Sequence, residues 1–197
     1  MLEQQDRDEM LRIAVRAVAE PLAHGRRWLP DLAEMAPALR DPGACFVTLR
    51  RSQRLLGCIG SLVPHRPLGV DVAHNAAAAA FDDPRLPAVT VADMAALDVH
   101  VSVLGPLRVL PVAGWAELAD ALRPGEDGLL VTDGRHRATF LPSVWGELAT
   151  PREFLDALWV KAGMRPGVWP TDLQVSRYSV EEFGSPARDV RELGGAT

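Results

Sequence analysis

Apolar and polar positions follow two different periods along this chain, and the switches between them lay out its elements. Leu11, Val15, Val18 and Leu22 recur at three- and four-residue spacing on an acidic, helix-favouring background. This predicts an amphipathic helix over residues 5–20 that ends near Pro21 and Gly25. After a proline-rich link, ACFVTLR and LLGCIGSL flank Arg51-Ser52-Gln53-Arg54 and read as a β-hairpin with that tetrapeptide as its loop. PLGVDVAHNAAAAAFDDPR follows as a helix whose alanine run permits close packing. It stops at Asp83-Pro84, because the residue before a proline avoids helical geometry. ALDVHVSVL alternates as a strand and closes a unit of hairpin, helix and strand.

The second half repeats that grammar. Residues 115–122 predict a helix, and GLLVTDG with RHRATFL predicts a hairpin turning at Asp133-Gly134. Thr150-Pro151-Arg152-Glu153 is a capping box with proline at the first helical position. Phe154, Leu155, Leu158, Trp159 and Ala162 form the apolar face of the helix it opens, and Gly163 fits its C-terminal cap. DLQVSRYSV is the closing strand. The expected fold is α+β, with two related β-hairpin-helix-strand repeats, about 44–104 and 126–180, in which helices pack on antiparallel sheet. Residues 1–197 form a single two-lobed domain in this reading, with 181–197 as a flexible tail.

Composition narrows the function classes. The chain has 197 residues, 48% hydrophobic and 24% charged, enough for one sizeable core or two small fused lobes. Its first ten residues are polar and acidic, and no later run approaches the roughly 18 apolar residues of a membrane helix, so a cytoplasmic protein without signal peptide or membrane span is expected. The net charge of −5 argues against a broad nucleic-acid footprint. Cys45 and Cys58 lack the spacing of a zinc site or a disulfide framework. His65, His74 and His136 lie on separate elements, so no metal site is expected. There is no Walker loop, GxGxxG, GxSxG or iron–sulfur cysteine set, and no cofactor is expected.

The chemistry concentrates in RLLGCIGSL, where Gly57 and Gly60 bracket Cys58 inside a strand. Glycine weakens a strand unless something must come close to its backbone. With Arg51–Arg54 as the loop, residue 50 faces 55, 47 faces 58 and 45 faces 60. Cys58 then shares an apolar face with Cys45, Val47, Leu49, Leu56 and Leu62, and reads as a small buried hydrophobe. A loop one residue shorter or longer turns it to the other face, beside Phe46, Thr48 and Arg50, where an arginine lowers a thiol's pKa. In either register the two glycines clear side chains from around the sulfur, admitting a ligand, a reacting carbonyl or the alanine-rich helix.

Neighbouring motifs carry two readings each. Asp82-Asp83-Pro84-Arg85 is a helix-terminating turn in which Asp83 caps backbone and Arg85 pairs with it, or it sets a carboxylate and an anion-binding guanidinium beside the cysteine. Asp98, His100 and Ser102 alternate on one strand face, as the wet side of a sheet or with His100 as a base for Cys58. Arg50, Arg51 and Arg54 on one hairpin tip, and Arg135, His136 and Arg137 on the other, keep exposed hairpins soluble or form a local anion-facing patch.

RLLGCIGSL resembles the LRGCIG signature of the AMMECR family, whose bacterial members include the AmmeMemoRadiSam system protein A. CFVTL, HNAAAAAFDDPRLP, VSVL at 101–104, EDGLLV, FLPSVW and FLDALWVKAGM followed by Trp169 fall in that family's order. Leu56 stands where the signature has arginine, so any anion-binding or thiol-activating role of that group is either lost here or supplied by Arg54 or Arg85. The resemblance implies a cytoplasmic α+β protein of two β-rich repeats, of unestablished activity, associated in many prokaryotes with a Memo-like protein and a radical SAM enzyme.

Three functions follow. One is an accessory component that presents a GCIG/DDPR cleft to a small ligand or a partner, with Gly57, Gly60, Asn75, Arg85 and Ser102 as binding residues. Another is an enzyme with Cys58 as thiol nucleophile, Asp83 or His100 as base or orienter, and Arg85 as anion binder. The third is an RNA-related regulatory factor using the arginine tips. Whether the protein is an enzyme at all is left open by the sequence.

Overall fold

Glu3 and Asp6 open the first helix by capping each other's backbone, and α1 (Gln4–His24) runs past Pro21 to Gly25, whose φ of 69° and N–H bond to the Pro21 carbonyl close it. The computed structural model describes residues 2–148 and 150–192. Beyond α1 come α2 (Pro37–Arg40), β1 (Pro42–Gly43), β2 (Cys45–Arg51), β3 (Arg54–Gly60), β4 (Arg66–Pro67) and α3 (Leu68–Phe81). A 3-10 turn over Val91–Ala96 leads into β5 (Leu97–Leu104) and β6 (Arg108–Val109). The chain continues through α4 (Trp115–Ala121), β7 (Gly128–Thr132), β8 (Arg137–Phe140), a 3-10 turn at Pro142–Gly146 and α5 (Pro151–Lys161). It ends in β9 (Gln174–Tyr178), β10 (Val180–Pro186) and α6 (Ala187–Glu192).

These elements form two units. One contains the chain up to Leu104 together with the residues from Glu181 on; the other is Gly105–Val180. In the first, the strands run in the order β10-β5-β2-β3; in the second, β6-β9-β7-β8. The expected repeat is present in the pairing. Each unit has a hairpin (β2-β3, β7-β8), a helix (α3, α5) and a third strand (β5, β9) that returns antiparallel to the hairpin's first strand. A fourth strand then extends each sheet, β10 beside β5 and β6 beside β9.

Alternation buries one face of each sheet. In the first unit Val47, Leu49, Val99 and Val101 are fully buried in one cluster with Met10, Ala14 and Val18 of α1 and Val72, Ala76 and Ala79 of α3. In the second, Leu129, Val131 and Val175 meet Phe154, Leu155, Leu158 and Trp159 of α5. Trp145 stacks on Phe154 with centroids 4.0 Å apart, and Trp115 meets Trp159 edge-on at 4.7 Å. The Thr150 capping box opens α5 as its sequence requires.

Two sequence expectations need correction. The first hairpin turns on two residues, not four: Ser52 and Gln53 both have positive φ, 48° and 72°, a turn whose twist matches that of the strands. Arg50 faces Leu55 as expected, but the register shifts between Leu49 and Arg50, and Leu49 faces Gly57. Leu56 is the extra residue of a β-bulge, buried with the core. Because side chains alternate, one inserted residue moves every later one to the opposite face, so Cys58 faces Thr48 rather than Val47.

The segment expected as a tail is ordered through its described part. Residues 181–186 belong to β10, and α6 buries Ala187 and Val190 in the first unit's core. Residues 193–197 lie outside the described residues.

Candidate functional site

Strand β3 is the outermost strand of its sheet. An edge strand presents unpaired N–H and C=O groups, and at Cys58 a turn satisfies both. The Cys58 N–H donates to Asp83 Oδ2 at 3.0 Å, and the Cys58 carbonyl accepts from Arg85 Nη2 at 3.0 Å. Arg85 in turn grips Asp83 with Nε at 2.8 Å and Nη2 at 2.7 Å, and its backbone N–H donates to Oδ1 at 3.2 Å. The GCIG and DDPR motifs therefore meet as a hydrogen-bonded seam, the turn reading of DDPR in which Asp83 caps backbone and Arg85 pairs with it, rather than as the alternative cleft.

The electrostatics follow from these contacts. Asp83 has a side chain only 2% exposed, and the Arg85 guanidinium, with help from the Cys58 and Arg85 amides, holds its carboxyl well below the usual carboxylate range. Such a carboxylate binds a proton weakly, and its contacts are to the backbone of Cys58 rather than to the sulfur. Arg85 is raised by the same pairing, and its side chain stays 62% exposed.

The two glycines serve two different neighbours. A Cβ on Gly57 would overlap the Ala79 carbonyl oxygen, so this glycine lets the backbone of α3 close on the sheet. A Cβ on Gly60 would overlap the Phe46 ring, which occupies the space beside it. Neither glycine opens onto empty space.

Across the sheet face opposite the core, Cys58, Thr48 and His100 form one row, as cross-strand partners on β3, β2 and β5. Thr48 Oγ1 donates to Cys58 Sγ at 3.2 Å, and Cys58 is half-buried. His100 shares the face but stands two strands from Cys58, about 10 Å at strand spacings of about 4.8 Å, with Thr48 between them. On the far side of His100, Gly184 of β10 leaves room for the imidazole. Ser102 lies in the next row, opposite Phe46, and is buried.

Asn75 belongs to a different network. On α3 it sits one turn after Asp71, and its Nδ2 donates to the Cys45 carbonyl at 3.0 Å, to Asp71 Oδ2 at 2.9 Å and to Ser61 Oγ at 3.3 Å. Asp71, fully buried, also accepts from the Cys45 N–H at 3.0 Å and from Ser61 Oγ at 2.8 Å, and pairs with Arg66 at 3.2 Å. Burial and the Asp71 charge push the Cys45 thiol up, so this cysteine is an inert core residue. The structure thus unites Cys58, Asp83 and Arg85, puts His100 and Ser102 on the same sheet, and sends Asn75 to the base of β2. Asp71 is a contributor that sequence reasoning missed, whereas Thr48 stands beside Cys58 as in the alternative register that the sequence offered. Only the register selects Thr48 as the partner; for Asp71 the signal is an aspartate four residues before an asparagine in a largely apolar helix.

Among the described residues no three His, Cys, Asp or Glu side chains gather as a metal-binding group, and no helix is long and apolar enough to cross a membrane.

Comparison with known proteins gives a consistent picture. The family model described as AMMECR1 matches residues 11–183. A protein of Thermofilum pendens is 36% identical, over 93% of this chain and 92% of its own length. One of Methanothermobacter thermautotrophicus is 36% identical, over 90% and 94%. The crystal structure of the uncharacterized protein PH0010 from Pyrococcus horikoshii superposes with a TM-score of 0.86 at 32% identity, covering 93% of each chain.

Proposed function

The chain belongs to the AMMECR1 family, and from that premise we propose that it is a cytoplasmic binding component that presents the Cys58 thiol to a partner, working with a Memo-type protein and a radical SAM enzyme. The observation that carries this reading is the seam at Cys58. Asp83 and Arg85 fix both polar groups of the Cys58 backbone from the sheet edge, while the side chain projects to the face it shares with Thr48 and His100. A thiol nucleophile needs a base within hydrogen-bond reach. Here the group bonded to Sγ is the Thr48 hydroxyl, and Asp83 is committed to Arg85 and to backbone. The arrangement orients a thiol and leaves its activation to something else, which favours recognition over self-contained catalysis. The RNA-related reading gains less support, because Arg51 is tied to Asp93 at 2.8 Å and Arg50 turns back to the Gln53 carbonyl.

The test is a binding measurement between the full chain and the purified Memo-type and radical SAM proteins of the same organism. N-ethylmaleimide applied to the native protein modifies Cys58 and spares buried Cys45, as peptide mapping will show. Complex formation by the untreated protein and by Cys58→Ser, and its loss after alkylation, is the expected result. A complex indifferent to alkylation, or no complex with either protein, would sink the reading.

A further inference from the structure

Arg108 on β6 stands directly opposite Arg177 on β9. Facing residues of an antiparallel pair have Cβ atoms about 4.5–5.5 Å apart, and like charges there destabilise the pair. Both arginines, together with Arg123 from the segment after α4, line a cavity of about 280 Å³ completed by Pro106, Tyr178 and Ser179, all within the second unit.

The local carboxylates answer only part of this charge. Asp127, with a fully buried side chain, accepts from Arg123 Nη2 at 2.6 Å and from the Arg123 backbone N–H at 3.0 Å, and it approaches Arg177 at 3.8 Å. Glu126 meets Arg123 from the exposed side at 3.1 Å. Asp127 is thus saturated by Arg123, Arg177 lies beyond ordinary hydrogen-bond distance from it, and the exposed Arg108 side chain pairs with no carboxylate among the described residues. The Tyr178 hydroxyl is engaged elsewhere, with Thr139 and the Phe140 carbonyl.

The geometry points to a phosphate-binding site in the second unit, with Arg108 and Arg177 clamping the anion and Arg123, locked by Asp127, forming a fixed positive wall. A phosphate monoester brings a charge of about −1.5 to −2 at pH 7 and three strong acceptor oxygens. Guanidinium forks match those oxygens two at a time, and the anion would turn the cross-strand repulsion into a shared attraction. A single carboxylate would answer Arg108 or strengthen the loose pairing of Arg177, but would not clamp both. The cavity lies just under the roughly 300 Å³ at which pockets for drug-sized ligands begin, so it suits the phosphate group itself with little of any molecule attached. Nothing in this site depends on Cys58, which belongs to the first unit.

The test is thermal unfolding of the full chain at fixed ionic strength in chloride, titrated with inorganic phosphate and, separately, with ethyl phosphate. A saturable rise in Tm is expected, with the apparent affinity weakened by about tenfold or more in Arg108→Gln and in Arg177→Gln, as loss of one charge-assisted bond implies. Because Arg108 is exposed and unpaired, Arg108→Gln should fold normally, and in chloride alone its Tm should equal or exceed that of the wild type. Ethyl phosphate binding at least as well as the inorganic ion identifies the terminal phosphate of a larger molecule as the ligand; binding of the inorganic ion alone identifies free phosphate. No saturable rise with either, or the same rise in both variants, overturns the proposal.

Discussion

The amide of Cys58 and the carboxylate of Asp83 meet at 3.0 Å on β3, one of the two edge strands of the first sheet. With Arg85 on the Cys58 carbonyl, a turn supplies at this residue the donor and acceptor that a neighbouring strand would supply. The same two side chains thus cover an edge and fix the backbone that carries the thiol.

Breaking this seam has a measurable cost. Asp83→Asn keeps the size of the side chain but deprives Arg85 and the Cys58 N–H of a charged acceptor, and should destabilise the protein by about 2 kcal/mol in urea unfolding. The control is Asp82→Asn. Asp82 pairs with Arg27 through two contacts of 2.7 Å, but both side chains are about half exposed, so about 0.5 kcal/mol is expected. Equal losses would show that the seam adds nothing beyond a surface ion pair.

Acid should loosen the first unit in a defined window. The hydroxyl and amide of Thr90, then Arg51, hold Asp93 down to about 2, and Asp83 is held low by Arg85. A folded-state pKa below the unfolded value of about 4 means that the stabilisation is complete above that value and disappears as pH falls through the folded one. Asp93→Asn should therefore be less stable than the wild type above about pH 4, with the gap closing as pH approaches 2. A gap independent of pH across that range would rule out the carboxylate's charge as its source.

The two glycines around Cys58 should respond unequally to a methyl group. Gly57→Ala drives a Cβ into the backbone of α3 at Ala79, which cannot move without shifting the helix, and about 3 kcal/mol is expected. Gly60→Ala meets only the Phe46 side chain, which can rotate away, and about 1 kcal/mol is expected. Thermal unfolding of the two variants decides the order; the reverse order would place the close approach at Phe46 rather than at the helix.

What could be read in advance was local. The cap at Gly25, the capping box at Thr150 and the alternation of LDVHVSVL each depend on residues within one turn or one strand, and all three stand in the structure. The bulge at Leu56 was not legible, because it reflects how two strands pair: the extra residue keeps Leu56 and Gly57 both toward α3, and no residue type announces that. Ser52 and Gln53 concealed a two-residue turn, since neither is the glycine or asparagine such turns prefer. EEFGSPARDV has no clean period and read as part of a tail, yet its pairing with β5 and the burial of Ala187 and Val190 order it. The facing of Arg108 and Arg177 likewise emerges only from the register of β6 on β9.

The Gly105–Val180 excursion interrupts the first unit between β5 and β10, and its ends are tied where the Gly105 N–H donates to the Ser179 carbonyl at 2.9 Å. Left as loose chain, a segment of this length would oppose the pairing of β10 with β5 through the entropy of closing so long a loop. Folded, it hands the chain back at the place it took it, like a tight turn. Because chains are made from the N-terminus, β2, β3 and β5 precede β10, and the outer side of β5 has no partner strand until the excursion and residues 180–186 have followed.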